Sequence, residues 1–213
     1  MKRFLTVSTV LLLCCALTAC SDDKKTRPRL TPPDPDYKNL TEKWHVLHNL
    51  RQAYNEMNIV EYRKIFDEDN FIFFFYEGDV GGHVPVQWGY AEETQSAENM
   101  FSRAGGIEDN PILAIDLTLF DHETVTWTEV PDPEGFPGET WYEAIVVYDF
   151  FIETADDIQY ITSGAPTAIF TVRQIDGKWK LVRWRDRSSI AAVVSLPSST
   201  EESNWSKLKA LYQ

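Results

Sequence analysis

Residues 141–152, WYEAIVVYDFFI, are apolar at every position except Glu143 and Asp149. A strand of this kind is apolar on both faces, so it belongs at the centre of a sheet and needs cover on each side. The rest of the chain must therefore supply flanking strands and a layer of helices. The strands are legible after Asn110, where the sequence alternates with period two. Leu113, Ile115, Leu117 and Leu119 share one face, and Asp116 and Thr118 share the other. Val125 and Trp127 oppose Thr124, Thr126 and Thr128, which predicts a second half-buried strand. The loop PDPEGFPGET, residues 131–140, breaks the ladder because proline has no N–H to donate. Residues 166–175 and 178–186 read as a hairpin turning at Asp176-Gly177.

Helical spacing comes before the strands. Leu40, Trp44, Leu47, Arg51, Tyr54 and Asn58 follow three- and four-residue steps, and Leu50, Ala53 and Met57 widen the stripe. Asn58 with Glu61 resembles a capping box opening a short second helix. FIFFFY, residues 71–76, is too aromatic and too short for a helix and reads as a buried strand, followed by a third helix over about 90–103. At the other end, Ser198 with Glu201, or Ser199 with Glu202, caps a C-terminal helix whose stripe is Trp205, Leu208, Leu211 and Tyr212. Helices, one aromatic strand, a helix and then long antiparallel strands make an α+β domain.

Two stretches carry a resemblance. LHNLRQAYNEMNIVEYRKIFDEDNFIFFF reads as long helix, short helix, aromatic strand, and DGKWKLVRWRD as a turn into a final strand. In this order the chain resembles the nuclear transport factor two-like superfamily, also called cystatin-like or ketosteroid-isomerase-like. The resemblance implies a curved antiparallel sheet wrapped around the N-terminal helices as a cone with an apolar pocket, to which the tail adds a C-terminal helix. Enzymes of that superfamily set an Asp or His base against Tyr or acid donors inside the pocket; other members only bind. No such constellation matches this chain residue by residue, so no catalytic residue is assigned, and function must be argued from the site.

The N-terminus has its own logic. Lys2 and Arg3 precede an apolar run from Phe4 to Leu17, the layout of a secretory signal. Leu17-Thr18-Ala19-Cys20 resembles the lipobox of bacterial lipoproteins, and the tail NWSKLKALY resembles those of lipoproteins of this superfamily. That resemblance implies a signal peptide over 1–19 and a lipidated Cys20. Ser21 behind it directs the protein to the outer membrane, facing the periplasm, rather than to the inner membrane. Cys14 and Cys15 leave with the signal, so the mature chain holds no disulfide and depends on its core. Residues 20–36, rich in proline, form the lipidated cysteine and an extended stalk, and 37–213 form one domain. Losing residues 1–19 removes Lys2 and Arg3 but no acid, which moves the formal charge from −13 to −15. A surface this acidic excludes nucleic acid.

Chemical motifs are sparse. His45 and His48 share a helix face without an acidic or cysteine partner at ligand spacing, His83 and His122 stand in predicted loop or strand ends, and no metal or cofactor is expected. No phosphate loop, dinucleotide fingerprint or nucleophile elbow occurs. The expected ligand pocket is aromatic: Tyr76, Trp88, Trp127, Tyr148 and Trp184, with Glu92 and Asp186 as the nearest acids. The predicted function is a lipid-anchored envelope binding domain that holds an apolar or aromatic small ligand or a partner protein. The alternative is a pocket enzyme of the isomerase, dehydratase or cyclase type. The doubly apolar strand further predicts a homodimer packed face to face.

Overall fold

The computed structural model describes residues 36–81, 84–102, 111–155, 159–162, 166–187 and 200–203, with Trp205, Ser206, Lys209 and Tyr212 beyond them. All belong to the compact unit Pro35–Gln213. The signal, nearly all of the stalk, His83, Leu208 and Leu211 lie outside the described residues. No described helix is long and apolar enough to cross a membrane.

Helix α1 spans Lys43–Glu56 and buries Leu47, Leu50, Ala53 and Tyr54 of the predicted stripe together with Val46, while Trp44 and Arg51 of that stripe are half-buried. It ends because Met57 takes a left-handed conformation, φ 52°, that a helix cannot continue through. Asn58 then accepts from Glu61 N at 3.2 Å and opens α2, Ile59–Arg63. This tight corner turns α2 back beside α1 and sets the Tyr62 ring against Tyr54, centroids 5.3 Å apart. Helix α3 spans Tyr90–Phe101.

The strands are β1 (Ile72–Phe74), β2 (Gln87–Gly89), β3 (Ile112–Leu119), β4 (Thr128–Pro131), β5 (Thr140–Thr154), β6 (Gln159–Thr162), β7 (Thr167–Ile175), β8 (Lys178–Asp186) and β9 (Thr200–Ser203). They form one sheet in the order β2-β1-β8-β7-β5-β6-β9, with β3 and β4 also on β5. Most pairs are antiparallel, as predicted; β1 with β8 and β6 with β9 are parallel, so the sheet is mixed. β5 is central and, at 15 residues, outruns each of its neighbours. β4 and β7 pair with its residues 140–147, and β3 and β6 with 148–154. The ladder thus changes partners midway, and the large curved sheet stays unclosed around α1. The side-chain amide of Asn55 on α1 donates to Leu117 O at 3.2 Å and accepts from Leu117 N at 2.6 Å, pinning helix to strand.

Four expectations need correction. β5 is apolar on both faces but covered on one only: Ala144, Val146, Tyr148, Phe150 and Ile152 are buried, while Ile145 and Val147 face outward, 57% and 37% exposed. On β3 a register shift between Ile112 and Ala114 turns Leu113 outward and Ile112 inward. The strand expected over 124–128 begins only at Thr128, because Asp121 at φ 51° and the bond from Thr124 N to Asp121 O make a turn where alternation suggested a ladder. In the tail, Glu201 and Glu202 belong to β9, where pairing with β6 displaces the expected cap; Trp205, Ser206 and Lys209 are helical.

Candidate functional site

The cone interior is built by three layers: Tyr54 from α1 and Tyr62 from α2 on one side, the inward residues of β1, β5, β7 and β8 on the other, and α3 across the end. What lies between them is the C-terminal tail. Trp205 is fully buried, with its ring centroid 4.1 Å from Trp184, 4.7 Å from Tyr148 and 5.3 Å from Phe150, the last a stacked pair. Its indole N–H donates to Tyr54 Oη at 3.3 Å, and its main-chain N–H to Tyr148 Oη at 3.4 Å.

Two buried carboxylates receive the tail. Asp186, at the end of β8, accepts from Ser206 N at 2.9 Å, from Ser206 Oγ at 2.7 Å and from Tyr148 Oη at 3.3 Å. Glu93, on the first turn of α3, accepts from Tyr62 Oη, from Trp88 Nε1 at 2.9 Å and from Lys209 Nζ at 2.5 Å. The Lys209 ammonium also lies 3.6 Å from the Trp184 ring centroid and 3.9 Å from that of Phe73. It therefore has a carboxylate on one side and two aromatic faces on others, the arrangement that makes a buried cation tolerable. Burial pulls the Lys209 amine down to about 8 against the opposing pull of Glu93. Burial, and then the Glu93 charge, pushes the Tyr54 and Tyr62 hydroxyls well above their ordinary value.

Of the expected pocket residues, Trp88, Tyr148, Trp184 and Asp186 come together inside the cone. Tyr76 is half-buried at the mouth, where its N–H donates to Ser206 Oγ at 2.9 Å. Trp127 is half-buried and packs on the core from the loop before β4. Glu92 is exposed and accepts from Gly89 N at 3.1 Å, a helix cap rather than a pocket acid. Its neighbour Glu93 holds the inward place because one helical residue turns the side chain by roughly 100°. The signal was present in the sequence: Glu93, Ala97 and Met100 follow the four- and three-residue steps of the buried stripe. Tyr62, Tyr54, Trp205, Ser206 and Lys209 were also absent from the expected site.

A cavity of about 750 Å³ opens beside the end of β1 and β8, lined by Phe74, Tyr76, Val80, Val86, Arg185 and Arg187 and by the acids Glu77 and Asp186. At a different place, between α1 and the turn after β3, His48, His122 and Glu123 approach one another.

No protein-family model matches the sequence, and no curated protein matches it. Solved structures resemble the chain at low identity. A nuclear transport factor 2-like superfamily protein from Salmonella enterica serovar Typhimurium is 10% identical over 70% of this chain and 89% of its own, with a TM-score of 0.47. A provisionally assigned aromatic ring hydroxylase from Novosphingobium aromaticivorans is 15% identical over 66% of this chain and 82% of its own, TM-score 0.45. A nuclear transport factor 2-like protein of unknown function from Cytophaga hutchinsonii is 12% identical over 68% and 88%, TM-score 0.36. The described domain has an α+β topology of its own, an unclosed curved sheet around α1 with α2 and α3 in the order the sequence predicts.

Proposed function

We propose that the chain is a binding module, held at the cell envelope by a lipid on Cys20, rather than a pocket enzyme. The observation behind this reading is the occupied cone: Trp205 and Lys209 fill the space a substrate would need, and every donor to Glu93 and Asp186 named above comes from the protein. A catalytic base needs hydrogen-bond reach to a substrate proton; the tail shuts Glu93 away, and Asp186, which borders the cavity at the mouth, is already taken up by Ser206 and Tyr148. The binding surface is then the cavity at the mouth. Its phenyl, phenol and valine side chains suit an apolar or aromatic group, and the guanidinium groups of Arg185 and Arg187 suit a carboxylate on it. The same surface accepts a partner segment of that chemistry. A thermal-shift panel of aromatic carboxylates and fatty acids on the full chain tests this. Stabilisation lost in Arg185→Ala and Val86→Asp supports the site, and a response in both variants equal to that of the wild type overturns it.

The anchor rests on Leu17-Thr18-Ala19-Cys20 behind the short apolar run. Metabolic labelling with a palmitate analogue marks the wild type and not Cys20→Ala; equal labelling removes the anchor. The homodimer is carried with Ile145 and Val147 as its contact, and an Ile145→Lys protein that sediments like the wild type removes it.

The enzyme reading keeps one observation of its own: two buried acids face tyrosine hydroxyls, Glu93 with Tyr62 and Asp186 with Tyr148. It requires the tail to withdraw. Ser206 amide exchange as slow as that of β5 would count against it.

A further inference from the structure

His48 lies on α1 and His122 in the turn after β3, and each is only 6% exposed. The ring centroids are 5.8 Å apart. His48 Nε2 is 3.0 Å from Asp36 O, and His122 Nδ1 is 2.9 Å from Leu119 O. A carbonyl oxygen can only accept, so both of these ring nitrogens carry the hydrogen. The other two nitrogens, His48 Nδ1 and His122 Nε2, are then bare lone pairs, buried and without a hydrogen-bond partner.

They face each other and a third acceptor. Glu123 Oε1 lies 4.0 Å from His48 Nδ1 and 3.9 Å from His122 Nε2, and all three atoms fall within 4.8 Å of one another. Three acceptors converging with no donor among them repel one another, and a cation at their centre removes the repulsion. Tetrahedral zinc with bonds of roughly 2.0–2.1 Å sets its ligand atoms about 3.3 Å apart. The Glu123 side chain is 59% exposed and is free to swing the remaining distance. The carbonyl bonds at the far ring nitrogens are the outer contacts that hold metal-bound imidazoles in one tautomer. A cavity of about 360 Å³ along residues 118–124 reaches His122 and Glu123 from solvent, which gives an entry path and room for a water as fourth ligand.

Arg51 and Lys38 are the opposing charges that bear on this place; Lys38 is paired with Asp36 at 2.5 Å, and Arg51 is half-buried on α1. Their field weakens a cation site, and the Glu123 carboxylate offsets one of them.

We propose that His48, His122 and Glu123 bind one divalent ion of the zinc class, joining α1 to the turn after β3. Two imidazoles and one carboxylate select a borderline ion such as Zn²⁺ over Ca²⁺, which takes oxygen ligands. The inference is independent of the binding reading above. The test uses the metal-free full chain, zinc titration by calorimetry, and metal analysis after desalting. The wild type is expected to bind zinc with an affinity at least tenfold above that of His122→Ala, His48→Ala and Glu123→Gln. Zinc held by Cys14, Cys15 or Cys20 is common to all four proteins and cancels in the difference. Equal binding by wild type and Glu123→Gln overturns the site even if a histidine variant fails to fold, because Glu123 is exposed and its replacement leaves the fold intact. A calcium response as large as that to zinc overturns the assignment of class.

Discussion

Lys209 and Glu93 form an ion pair buried inside the domain. Both are shut away from water, 0% and 1% exposed, and each is the other's counter-charge. Lys209→Met leaves a buried carboxylate that must either stay charged or take up a proton, and the expected loss is about 3–5 kcal/mol. Pairing it with Glu93→Gln removes the stranded charge and returns much of that loss. Denaturant unfolding of the two single variants and the double reads the coupling, and an additive cycle would refute it. The pair also sets a pH signature. The Lys209 amine titrates near 8 when folded and at its ordinary value, above 10, when unfolded. Between those values the unfolded chain holds the extra proton, so stability rises with pH, by at most about 1.4 kcal/mol per pH unit. Above about pH 10 the trend reverses, since Tyr54 and Tyr62 keep their protons folded but lose them unfolded. Stability measured from pH 7 to 11 should peak near 10 in the wild type, with the rise absent in Lys209→Met.

At the scale of elements, the tail behaves as a core element rather than an appended helix. Trp205→Ala removes a fully buried indole ringed by Tyr54, Tyr148, Phe150 and Trp184, for an expected cost of about 3–5 kcal/mol. Ser206→Ala strips the hydroxyl donor from the buried Asp186 carboxylate, and the acceptor from Tyr76 N, and should cost about 1–3 kcal/mol, read by thermal or chemical unfolding. Elements whose apolar spacing is unbroken were readable beforehand: α1, the Asn58 corner into α2, and the β7–β8 hairpin at Asp176-Gly177. The failures have local causes. Leu113 was misplaced by a bulge, which shifts the face without altering composition. Trp127 was placed on a strand because threonines alternate there, whereas the turn at Asp121 decides the backbone. The Glu93–Lys209 pair was hidden because a charge on an apolar stripe reads as solvated until its partner, here 116 residues away, is brought beside it. His48 and His122 were unreadable as a pair for the same reason.

For the whole molecule, the tail makes the domain indivisible. A chain ending at residue 199 would leave Tyr54 and Trp184 without their central packing partner and Glu93 without its cation, so it should show no cooperative melting transition, whereas the full chain melts in one. Circular dichroism on the two proteins decides, and a truncated chain that melts sharply near the full-length temperature would refute the claim. The indole of Trp205 meets the hydroxyl of Tyr54 across 151 residues of sequence. That separation is a clock. At roughly 5–20 residues per second, on the order of ten seconds pass between the synthesis of Tyr54 and that of Trp205. Throughout that interval the cone lacks its filling, and the emerging chain cannot close its core. For a protein destined, as proposed, to cross a membrane before folding, Trp205, made so long after Tyr54, acts as a timer that keeps the preceding chain threadable in the meantime.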